Sequence, residues 1–269
     1  MQNDTVLSRI FDVCNYIFLI VYGILCIFPF LYIVSASFAD SAEIISRSIF
    51  LIPQRPTLVA YDYIMSSPVL PRSLLVSVCV TVVGTITSMV VTLSMAYAVS
   101  KKYLVGRSVI MGFVAFTLVF SGGMIPTFLV VKELGLIDQF AALILPVCVN
   151  TFNLIVIKNF FQRLPQELED AARIDGCNDM RIFTKVVLPL SMPVIATFTL
   201  MYAVGYWNDY FNSLIYLNDT KKWPLQIMLR QIVMFSQGGI DGAGIDLEYV
   251  KPPAQSIKMA VIVFGTVPI

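Results

Sequence analysis

The sequence predicts an all-α protein, a polytopic bundle of transmembrane helices, and three observations carry that prediction. Of its 269 residues 58% are hydrophobic and 13% charged, with a mean hydropathy of +0.82. A soluble domain carries about 25% charged residues and under about 50% apolar ones. Charge is absent from five stretches, 13–39, 73–100, 108–131, 139–157 and 186–208, each matching the roughly 18–20 residues a helix needs to cross a hydrocarbon core about 30 Å thick. None alternates polar and apolar residues, and all are too long for the tilted strands of a barrel.

Residues 1–68 comprise a short polar start from Met1 to Asp12, the first span and a loop. No small-residue cleavage site follows the apolar run, so this reads as an uncleaved anchor. Residues 69–269 hold the other spans as a transmembrane core. The third stretch is interrupted by Gly122, Gly123 and Pro126, and the fourth by Pro146, Asn150 and Asn153. Proline removes a ladder hydrogen bond and kinks a helix, in bundles that rock and in static ones alike. A sixth apolar run after Lys258 would, at about 1.5 Å per residue, cover roughly half the membrane by Ile269. It reads as a span cut short, with the native protein expected to continue. Basic residues divide nine and nine between the two sides. The inner segments (1–13, 100–107, 158–188) are shorter than the outer ones (39–72, 132–139, 218–258), which favours a cytoplasmic N-terminus.

Several chemistries are excluded. The chain has no histidine, so no imidazole ligand or relay exists. A net charge of +1 supplies no basic face for nucleic acid. The five cysteines show no C-x-x-C spacing and read as apolar filler. No G-x-x-x-x-G-K-[ST] occurs, so the chain cannot cradle ATP phosphates itself.

The long inner loop, 158–188, has two helices written into it. Pro165 fits a first helical position, and Glu167, Glu169 and Asp170 place negative charge where the macrodipole favours it. Gly176 is placed to end that helix. Asn178 or Asp179 can cap a second one, and Pro189 opens the next span. Ala171 and Ala172 offer a small-residue surface that lets another backbone approach. The same features also describe a plain amphipathic connector.

The run Asp170-Ala171-Ala172, three residues, Gly176, nine residues, Val186, one residue, Leu188-Pro189 resembles the EAA motif of ABC importer permeases, with the spacing matched throughout. Asp170 stands for the motif's glutamate and Val186 for its isoleucine. The resemblance covers most of the chain and is nearest to the carbohydrate branch, the maltose-type second permease. Ser121–Pro146 and Trp207–Asp219 are similar to permeases for pectin- and alginate-derived fragments. The resemblance implies a type I ABC importer permease in the bacterial cytoplasmic (inner) membrane. It implies a heterodimer with a second homologous permease, two ABC ATPase subunits that bind ATP and Mg, an extracytoplasmic solute-binding protein and an oligosaccharide cargo. It assigns no cofactor to this chain. Glu167, Asp170, Ala171, Ala172, Asp175, Gly176, Leu188 and Pro189 would then couple to the ATPase.

At the end of the fifth span Tyr202, Tyr206, Trp207, Asn208 and Asp209 gather polar and aromatic groups, with 202, 206, 209 and 213 on one helical face. With Asn150 and Asn153 they suit the lining of a sugar pathway, since polar groups in spans face bundle interiors or wet cavities. Tyrosine and tryptophan equally mark membrane interfaces. The outer loop from Asn218 to Gln255, with its glycine-rich portion, reads either as a probe of the binding protein or as a plain surface loop. The alternative function is a secondary transporter or channel for a small polar solute, for which only Asp209 is a midplane candidate. A membrane-embedded enzyme finds neither histidine nor paired intramembrane carboxylates to use.

Overall fold

The computed structural model describes residues 6–47, 49–66, 68–236 and 255–266, and the regular structure among them is helical throughout. The chain forms two compact units, one from Met1–Pro71 with Met228–Ile269 and one from Arg72–Ile227. The glycine-rich portion of the 218–255 loop falls within 237–254, outside the described residues.

The first unit begins with α1 (Val6–Ser37), whose part Ser8–Ser37 is long and apolar enough to span a membrane. Up to Leu31 its large side chains are exposed on every side, as in a helix solvated by hydrocarbon. The chain continues into α2 (Ser41–Ser46) and α3 (Val59–Ser66). A small core of Ala36, Ala39 and Phe50 packs with Tyr32, Ile44 and Met259. The Ser41 hydroxyl meets that of Ser256, 2.8 Å away, on the helix Gln255–Thr266.

In the second unit α4 (Val69–Ser100) is an unbroken span. One face of it carries Ser73, Ser77, Thr81, Thr85, Ser88 and Thr92 at three- and four-residue spacing, all but Thr81 buried. Small residues let neighbouring chains approach closely. Thr81 and Thr85 have buried hydroxyls without a partner among the described residues. The stretch 108–131, expected as one span, is two helices, α5 (Arg107–Val119) and α6 (Met124–Glu133). The chain breaks at 120–123, where Gly123 has a φ of 81°. At about 1.5 Å per residue, α5 reaches only about 20 Å. The fourth span is bent by 53° between Ala141–Val147, which opens with α7 (Ala141–Ile144), and α8 (Thr151–Phe161). Pro146 lies in the first part, and Asn150 caps the second by accepting from Asn153 N–H at 3.1 Å.

A hairpin follows, of α9 (Gln166–Ile174) and α10 (Asp179–Ile182). Beyond α10 a π-helical turn, Phe183–Val187, leads into α11 (Leu188–Leu190), and after an 84° bend α12 (Met192–Trp207) begins. The expected fifth span, 186–208, is therefore two pieces. Pro193, not Pro189, opens its long helix, in the first turn where a missing N–H costs nothing. α13 (Phe211–Tyr216) follows, and the second unit ends in the first turn of α14 (Leu225–Ser236). Ser77 Oγ on α4 accepts from Leu225 N–H at 2.8 Å.

Asp138 clasps the turn after α13. It sits at φ 61°, a left-handed conformation that aspartate tolerates. Its Oδ1 accepts from the N–H groups of Asn218 and Asp219 at 3.1 and 3.0 Å, and its Oδ2 from Lys222 Nζ at 2.6 Å. The Lys222 bond first, then the backbone donors, hold this carboxyl below its ordinary pKa of 3.8. A depressed pKa contributes stability above the ordinary value that is lost as pH falls through the lowered one. Asp138→Asn should therefore be less stable than wild type at neutral pH, and the difference should shrink below pH 3.8. Protease sensitivity of the 216–222 turn in detergent reads both; a difference that does not change with pH would contradict the charged clasp.

Candidate functional site

Local chemistry closes the hairpin between α9 and α10. Pro165 sits at the cap of α9, one position before its expected place, and Glu167 and Glu169 lie in the first turn. At the far end Cys177 N–H donates to Ala172 O at 2.9 Å and Gly176 N–H to Arg173 O at 3.0 Å. That pair is a Schellman closure, with Gly176 at the left-handed position at φ 78°. The space around Gly176 is open, so a side chain there meets only the backbone penalty, about 1–2 kcal/mol. Asn178 caps α10 by accepting from Arg181 N–H at 2.9 Å.

Glu167, Asp170, Ala171, Asp175 and Pro189 are exposed, while Ala172 and Leu188 are half-buried. Asp170 pairs loosely with Arg173 at 3.6 Å. Two apolar side chains stand out: Ile174 is 87% exposed and Met180 69%. Sequence reasoning passed over both, although Ile174 falls among the charged residues of α9 and so off its buried side. Beside them Arg173 donates to the Tyr103 hydroxyl and to Asp179 Oδ1, each at 3.2 Å. Burial and the Asp179 carboxylate push the Tyr103 hydroxyl up, keeping it a proton donor.

The buried carboxylate of the hairpin is Glu169, which forms an ion pair with Lys101, just past the end of α4. No sequence signal links positions 68 apart. Lys101 Nζ also lies 4.2 Å from the centroid of the Tyr97 ring.

Elsewhere in this unit a cavity of about 270 Å³ is lined by Val147, Asn150, Asn153, Met201, Tyr202, Gly205, Tyr206, Asp209 and Asn212. The helical face 202–206–209–213 is not continuous, because α12 ends at Trp207. The chain turns, and Asp209 Oδ1 accepts from Asn212 N–H and Nδ2 at 3.3 and 3.0 Å. The break nonetheless leaves Tyr202, Tyr206 and Asp209 on one wall. Trp207 is buried and Asn208 exposed, and neither lines the cavity.

Both tyrosines are anchored to α4. The Tyr206 hydroxyl meets Ser88 Oγ at 2.8 Å. The Tyr202 hydroxyl meets Thr92 Oγ1 at 2.9 Å and accepts from Asn150 N–H at 3.1 Å. Gly84 makes the first arrangement possible, since a Cβ built there would stand 2.8 Å from the Tyr206 ring. Sequence reasoning missed Gly84, because its partner lies on a distant helix.

Comparison with known proteins gives concordant results. The family model described as "Binding-protein-dependent transport system inner membrane component" matches residues 3–267. Protein LplC of Bacillus subtilis (strain 168) is 52% identical over 268 residues, spanning 100% of this chain and 90% of its own. The polygalacturonan/rhamnogalacturonan transport system permease protein YtcP of the same organism is 52% identical over 262 residues, spanning 97% and 92%. A crystal structure of a bacterial ABC transporter involved in the import of the acidic polysaccharide alginate superposes with a TM-score of 0.90 at 31% identity. It covers 100% of this chain and 95% of that one.

Interhelical hydrogen bonds inside membranes average only about 0.6 kcal/mol, whereas overpacking a closed contact costs about 1–3 kcal/mol. Gly84→Ala should therefore lower thermal stability in detergent more than Ser88→Ala does. The reverse order would mean that the ring does not lie against α4 as described.

Proposed function

Because this chain belongs to the family of binding-protein-dependent transport system inner membrane components, we propose that its hairpin receives an ATPase and its polar cavity forms part of an oligosaccharide's route. The chain is the membrane permease of an ABC importer and has no catalytic role: ATP hydrolysis belongs to a separate subunit. A partner permease and a binding protein complete such a system. In our reading the partner permease is a homologous second chain, two ATPase subunits carry ATP and Mg, and the N-terminus and hairpin face the cytoplasm.

The observation that carries the docking role is the exposure of Ile174, Met180 and Ala171 on the two arms of a glycine-closed hairpin. Side chains this large and this apolar, left exposed among the charged residues of both arms, are what a docking partner would cover. The cavity supports the cargo. Its lining offers two tyrosines, three asparagines and one carboxylate, with no lysine or arginine. Sugar hydroxyls find donors and acceptors there. The names of the relatives, which include polygalacturonan and alginate systems, support the same class. A uronate carboxylate would find no cation on this wall, so such a cargo would turn its hydroxyl edges toward it.

Ile174→Asp and Ala172→Glu should each leave the purified chain folded, abolish capture of the ATPase in detergent and abolish import into vesicles. The isolated chain should hydrolyse no ATP above buffer. Undiminished ATPase capture and import by both variants would reduce the hairpin to a connector.

A further inference from the structure

We propose that Lys101 and Glu169 are positioning residues of the transport cycle, their buried ion pair being the joint through which a displacement of the hairpin enters α4 and reaches Tyr202 and Tyr206. The inference rests on the reading of the hairpin as the element that receives the ATPase.

The hairpin's ion pairs differ in what they join. Arg173 with Asp170, and Arg173 with Asp179, link hairpin residues to one another and lie in the open. Lys101 with Glu169 links the hairpin to the end of α4, and the two side chains are only 13% and 11% exposed. An exposed pair is easily exchanged for water. A buried pair that separates leaves two uncompensated charges out of water, so its members move together.

The last turns of α4 hold both arms of the hairpin. Glu169 belongs to the first arm. Toward the second, the Tyr97 ring packs 4.7 Å from the ring of Phe183, and its hydroxyl donates to Asp179 O at 3.5 Å. Gln162 Nε2, at the root of the hairpin, donates to Ser100 O at 3.0 Å. From Lys101, α4 runs back without a break to Thr92, about 14 Å away, and to Ser88, about 20 Å away. Those residues hold the hydroxyls of Tyr202 and Tyr206. The route through α10 and α12 crosses a π-helical turn and an 84° bend, and α8, which runs from Asn150 to the hairpin root at Gln162, reaches neither arm of the hairpin through a buried ion pair among the described residues. A bend absorbs displacement that an unbroken helix conveys.

The test uses the full chain assembled with its partner permease and ATPase in vesicles, with import and ATP hydrolysis measured together. Glu169→Gln and Lys101→Glu should keep the ATPase bound while import per ATP falls about tenfold, within the range of ordinary allosteric coupling. The exchanged pair, Lys101→Glu with Glu169→Lys, should recover most of that loss. If the single variants do not fold, the exchanged pair decides: import per ATP near wild type supports the joint, and a folded exchanged pair that hydrolyses without importing overturns it. Unchanged import per ATP in folded single variants also overturns it. Loss of ATPase capture in both single variants would make the pair part of the docking surface and overturn the joint. Failure of the unaltered hairpin to capture ATPase would instead overturn the reading on which the joint rests.

Discussion

A hydroxyl inside a hydrocarbon layer has no water to bond, and a helix that breaks there frees backbone groups that must be satisfied within the protein. Much of the second unit follows from that constraint. Its fourth span bends at 148–150, and the freed Asn150 N–H is taken up by the Tyr202 hydroxyl, itself bonded to Thr92. Its α12 stops at Trp207, and Asp209 and Asn212 rebuild the turn. The unbroken α4 supplies the partners: Ser77 for Leu225 N–H, Ser88 for Tyr206, Thr92 for Tyr202. Each bond is weak alone, so the arrangement serves geometry more than stability.

Broken helices and an unbroken one divide the work. The breaks open a cavity walled by tyrosine, asparagine and a carboxylate, groups a continuous apolar span could not present. The unbroken helix fixes that wall with one end of its polar face, and its last turns hold the hairpin. Lys101 and Tyr97 reach one arm each, Lys101 to Glu169 and Tyr97 to Asp179. In the linkage we propose, α4 is the element common to hairpin and wall, and packed elements shift as discrete pieces rather than deforming continuously.

The helical class, the hairpin and its glycine were legible in the sequence because each depends on residues close together. Gly176 and Asn178 act within a few positions of themselves, so their spacing is their geometry. The interruptions at Gly123 and near Pro146 and Asn150 were legible for the same reason. The start of the fifth span was placed at Pro189, whereas the long helix opens at Pro193, since the two prolines read alike without the π-helical turn and the bend between them. The face through Tyr202 and Tyr206 was extended across a helix end that local pattern does not mark. Contacts between distant positions, Gly84 with Tyr206 and Lys101 with Glu169, left no trace in a single sequence.

The tie between hairpin and cavity wall through α4 is tested most directly by a double-mutant cycle. Glu169→Gln loosens one end of the tie and Thr92→Val removes the hydroxyl at the other. Each variant and their combination would be measured for import per ATP in the assembled transporter. If both act on one linkage, the combination loses about as much as the more damaging single change. If the two losses multiply as independent effects, hairpin and wall are separate features and α4 does not connect them.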